Sequence, residues 1–70
     1  SVILEIIDTR LLLQRNQRKS ECIRRGMTAL RDTYGEKRLL MELQLQLDLI
    51  AYESRSLRYQ LSKSTDDLQD

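Results

Sequence analysis

The sequence predicts an all-α fold: an antiparallel two-helix coiled-coil hairpin that bends near Gly35 and contributes to a larger helical bundle. Three observations point there. Leu, Arg, Glu, Lys and Ala supply 33 of the 70 residues and Pro is absent, close to the half that marks a coiled coil or long helix. Apolar residues recur at alternating three- and four-residue steps in each half of the chain. The two half-patterns meet as mirror images and do not join into one repeat.

The first helix is expected over about residues 2–33. Its inner face steps through Val2, Ile6, Thr9, Leu13, Asn16, Ser20, Ile23, Met27, Leu30 and Tyr34. A turn follows at about 34–36. The second helix is expected over about 37–62, with an inner face of Leu40, Leu43, Leu47, Ile50, Ser54, Leu57 and Leu61 that extends in register to Ser64 and Leu68. Residues 63–70 read as a polar, acidic tail that frays. Met41 to Leu49 alternates apolar and polar residues, a strand pattern. Leu, Gln and Glu are poor strand formers and no partner strand carries a turn signal, so helix is the reading there too.

From Tyr34 to Leu40 is six residues, where a continuous heptad needs seven. Folding the chain at Gly35 removes the mismatch, because residues whose numbers add to 70 then face each other. Leu30 meets Leu40, Met27 meets Leu43, Ile23 meets Leu47, Leu13 meets Leu57, and polar Asn16 meets polar Ser54. Glycine is also the residue most often found just past a helix end. Thr33 and Glu36 form a competing T-x-x-E capping box, which would start a helix at Tyr34. The alternative architecture is one continuous coiled-coil helix, about 105 Å long at 1.5 Å per residue.

Composition narrows the chemistry. Histidine is absent and Cys22 is the one cysteine, so no Ser-His or Cys-His pair and no zinc set can be drawn. The two glycines, Gly26 and Gly35, stand too far apart for a phosphate loop. No catalytic residue, metal, cofactor or small-molecule ligand is expected. Bundle catalysis by Arg10, Arg25 or Lys37 with Glu21 or Glu42 finds no spacing that singles those residues out. An odd cysteine favours a reduced, intracellular setting, cytoplasmic or nuclear. Reactivity at Cys22 would need its neighbours Arg18, Arg24 and Arg25 to lower its pKa, and an incidental cysteine is the commoner case. The apolar opening is broken by Glu5, Asp8 and Arg10, unlike a signal peptide or membrane span. Opening on Ser1 reads as a piece of a longer protein.

Two surfaces remain. Beside the inner face, Met41, Leu45, Leu49, Tyr52 and Tyr59 form a second apolar stripe, matched near the start by Leu4, Ile7 and Leu11, with Ile3 and Leu12 alongside. A two-helix hairpin needs one seam, so these faces are expected to dock helices, from a second copy or from another protein. The expected role is thus a non-catalytic oligomerisation or scaffold module. The alternative lies in residues 10–31, where seven basic side chains stand against the single acid Glu21 although the whole chain is only +1. Within it, Arg15 to Arg25 resembles the basic region of leucine-zipper transcription factors in placing an Asn before a basic run and a leucine seam. It departs from that pattern at Lys19 and Ser20, where those regions have paired alanines. If the resemblance held, Arg15, Arg18, Lys19, Arg24 and Arg25 would contact phosphates. A solvated basic face is the plainer reading, and neither nucleic acid nor membrane is an expected partner.

Overall fold

A computed structural model of the chain describes residues 1–33 and 35–69; Tyr34, placed on the inner face above, lies outside the described residues, as does Asp70. Two helices make up the fold: α1, Val2–Thr33, and α2, Lys37–Gln69. They pack side by side into a body 53 × 15 × 13 Å. A continuous helix would be about twice as long at 1.5 Å per residue, so the chain is a hairpin.

Each boundary has a local cause. Ser1 caps α1: its Oγ accepts from the Leu4 amide at 3.3 Å and its carbonyl from the Glu5 amide at 3.1 Å. A short hydroxyl side chain there satisfies amides that a helix start leaves without partners. At the other end the Gly35 amide donates to the Leu30 carbonyl at 2.9 Å, and Gly35 takes φ of 60°. That left-handed conformation costs a residue with a Cβ about 1–2 kcal/mol and a glycine almost nothing. The Glu36 carbonyl then accepts the first bond of α2, from the Leu40 amide at 3.0 Å. Thr33 therefore ends α1, and the glycine stop prevails over the T-x-x-E start.

The helices meet along the expected inner faces. Met27, Leu47, Thr9, Asn16, Ser54 and Ser64 are buried, and the positions between them at three- and four-residue steps are half-buried. Register is fixed directly by Asn16, 4% exposed, whose Nδ2 donates to Ser54 Oγ at 3.2 Å and to Glu53 Oε1 at 3.0 Å. The Asn16–Ser54 pair is the one the mirror about Gly35 requires. A polar pair inside a coiled-coil seam selects one register at a cost in stability. Of the other buried hydroxyls, that of Thr9 donates to the Glu5 carbonyl at 2.7 Å. Among the described residues no buried side-chain nitrogen or oxygen lacks a partner.

The C-terminal segment departs from expectation. Residues 63–69 continue α2 and are not a frayed tail. Nothing in SKSTDDLQ stops a helix, since Pro and Gly are absent. Ser64 falls on the inner face and is buried, and the Thr65 hydroxyl donates to the Leu61 carbonyl at 2.8 Å. Among the described inner-face positions, only Leu68 leaves the seam, 53% exposed. Its mirror partner is Val2, the first residue of α1.

Candidate functional site

An antiparallel hairpin has four sides: the outer face of each helix, opposite the seam, and two flanks where the helices run edge to edge. On α2 the outer face carries Met41, Leu45, Leu49, Tyr52 and Tyr59. The steps between these residues are four, four, three and seven, so all five share one side of a 3.6-residue helix. All are 60–72% exposed. This stripe cannot turn inward, because Leu43, Leu47 and Ile50 already occupy the inner face. Lys63 lies over the Tyr59 ring, its Nζ 5.5 Å from the centroid. Arg38 and Glu42 form an i,i+4 pair of 4.0 Å at the opposite end. The apolar stripe is therefore bracketed by charge.

On α1, Leu4, Ile7 and Leu11 occupy the outer face at the open end of the hairpin, all exposed, with Ile3 and Leu12 exposed beside them. Opposed helices turn their outer faces in opposite directions. The two apolar patches therefore do not merge, and one partner surface cannot cover both.

One flank is apolar at mid-length: Leu49 lines a shallow groove with Ile23, Ile50, Cys22, Lys19 and Gln46. Cys22 is exposed at its edge, and Arg18, Arg24 and Arg25 do not line that groove. The other flank is basic. Arg10, Arg24 and Arg58 border one groove together with Asn16, Ser20 and Ser54, while Arg24 and Arg31 border the next, facing Asp48. The seam thus divides the basic run. Lys19 and Arg24 point to opposite flanks, and Arg15, Arg18 and Arg25 are exposed around the outer side of α1. Sequence reasoning grouped Arg15, Arg18, Lys19, Arg24 and Arg25; the hairpin instead gathers Arg10, Arg24 and Arg58. Arg58 could have been found from the mirror rule, which sets it almost opposite Arg10.

Among the described residues, no helix is long and apolar enough to cross a membrane. Comparison with protein-family models, with curated proteins and with solved structures finds no match to this chain.

Proposed function

We propose that the chain is a non-catalytic association module that docks helices, of its own kind or of another protein, on the outer face of α2. The observation that carries this reading is the five-residue apolar stripe, set against a seam whose buried apolar residues, among those described, are only Met27 and Leu47. A hairpin this thin has more large apolar surface outside than in. Contiguous exposed apolar patches of this kind are rare on monomers and mark interaction sites. Removing Leu45, Leu49 and Tyr52 from water, at on the order of 100 Å² each and about 25 cal/mol per Å², contributes several kcal/mol to association.

The test compares two sets of variants by sedimentation and circular dichroism. Leu45→Glu with Leu49→Lys should abolish assembly and keep most of the helix content, since both positions lie outside the hairpin seam. Leu47→Glu should lose helicity together with assembly, because it buries a charge between α1 and α2. A stripe variant that sediments with the wild-type mass refutes the reading.

A further inference from the structure

We propose that the partner of the α2 outer face is a second copy of this chain, bound antiparallel about a two-fold axis between Leu49 and Tyr52. The inference rests on the association reading and supplies its occupant and geometry. Charge is what selects them.

The stripe has its own three- and four-residue steps, through Glu42, Leu45, Leu49, Tyr52, Ser56, Tyr59 and Lys63. Asp48 and Arg55 border it on one edge and Glu53 on the other. In a parallel pairing of two α2 helices, residues on one edge meet residues five later on the opposite edge of the partner. Asp48 then faces Glu53, twice by symmetry, and like charges oppose each other.

In an antiparallel pairing each edge meets the same edge of the other copy. Centring the axis between Leu49 and Tyr52 makes facing stripe residues add to 101 and facing residues on the Asp48 edge add to 103. Leu49 then packs on Tyr52 twice, and Asp48 comes beside Arg55 twice. At each end Tyr59 meets Glu42, which falls between its own Arg38 and the other copy's Lys63. A seven-residue slip in one direction sets Asp48 near its own symmetry mate; a slip in the other sets Arg55 near its own. Only the central register turns both edge charges into attractive pairs.

The size is also adequate. Five large side chains at roughly 100 Å² each on either copy, with their charged rim, reach the ~1,000 Å² that a specific association requires. The surface is the same on both molecules, as a two-fold interface demands. The product is four helices, with one α1 on each outer side of the central α2 pair.

Two measurements test this in the full chain. In a Cys22→Ser background, Leu49→Cys and Tyr52→Cys chains, distinguishable by mass, are mixed and oxidised. The antiparallel register expects the mixed 49–52 disulfide to exceed the statistical half of all cross-linked species several-fold. Same-site disulfides in the majority, or a statistical mixture, overturn it. The second measurement leaves the stripe intact. Arg55→Asp should weaken self-association about tenfold, since two attractive pairs become two repulsive ones. Adding Asp48→Arg should restore it to within about threefold, whatever that change costs the hairpin beside Arg24 and Arg31. Failure of the second change to restore binding overturns the register. A wild-type chain that sediments as a monomer overturns both the association reading and the second copy. Assembly that is lost in the Leu45→Glu, Leu49→Lys variant but shows no selective 49–52 cross-link overturns the second-copy geometry alone.

Discussion

Glycine 35 offers a test in which hairpin and rod give opposite signs. It takes φ of 60°, and a Cβ built there would find no heavy atom within 4 Å. Gly35→Ala therefore adds no clash, and its whole cost is the left-handed backbone, about 1 kcal/mol or slightly more. Gly26 is the internal control. It sits inside α1, likewise with nothing within 4 Å of an added Cβ. There Ala gains helix propensity, about 0.8–1 kcal/mol, with no packing change. The two substitutions share one chemistry and should move stability in opposite directions, separated by roughly 2 kcal/mol. For a chain of this size each kcal/mol shifts the melting temperature by about 4–8 °C. Thermal melts followed by circular dichroism resolve that, provided all proteins are compared at one concentration, because the proposed self-association would add its own stabilisation. Were Gly35→Ala to melt higher than wild type, as Gly26→Ala should, position 35 would be helical and the hairpin argument would fail.

Asn16 and Ser54 give a second test. Asn16→Ala leaves Ser54 and Glu53 without their shared donor and should cost about 1–2 kcal/mol in a denaturant melt. Replacing Asn16 and Ser54 together by Leu should raise the melting temperature while loosening the register, visible as extra amide signals in a heteronuclear NMR spectrum. Duplex DNA and RNA should bind no more tightly than about 10⁻⁴ to 10⁻⁶ M at physiological salt. Submicromolar binding that is lost in Arg24→Glu would overturn the ranking of the basic flank below the apolar stripe.

The hairpin could be read from the sequence because two independent periodicities had to agree. Heptad spacing placed both inner faces, and the six-residue gap between Tyr34 and Leu40 placed the mirror on Gly35. The Asn16–Ser54 hydrogen bond shows that mirror in atoms. The end of α2 was misread because local polarity outweighed periodicity: SKST looks like a tail even though Ser64 falls in register on the inner face. The competing T-x-x-E box of Thr33 and Glu36 yields to the turn for a physical reason. A capping box competes poorly where a glycine can adopt a left-handed turn that ends the preceding helix. The exposed stripe followed from elimination, since Leu45, Leu49 and Tyr52 cannot share a side with Leu47 and Ile50. The Arg10, Arg24 and Arg58 groove needed two helices at once. No local window contains it, and only the mirror sum brings Arg58 to Arg10.

Seam and stripe divide two tasks that a larger core performs together. Inside, four of the six residues buried among those described are polar: Thr9, Asn16, Ser54 and Ser64. Polar groups in a seam fix which residues face each other and add little net stability, since each hydrogen bond replaces one made to water. Outside, the α2 stripe is apolar and makes no partner choice within the hairpin. Burial there would supply energy, while Asp48, Arg55, Glu42 and Lys63 at its rim would supply the choice of partner. A chain of this length buries too little surface on its own to be robust. If the stripe associates as proposed, folding and association form one coupled equilibrium, and stability should rise with protein concentration in the wild type but not in the Leu45→Glu, Leu49→Lys variant. Coincident melting curves for the wild type over a hundredfold range of concentration would show that the hairpin stands alone, and would separate the seam from the stripe.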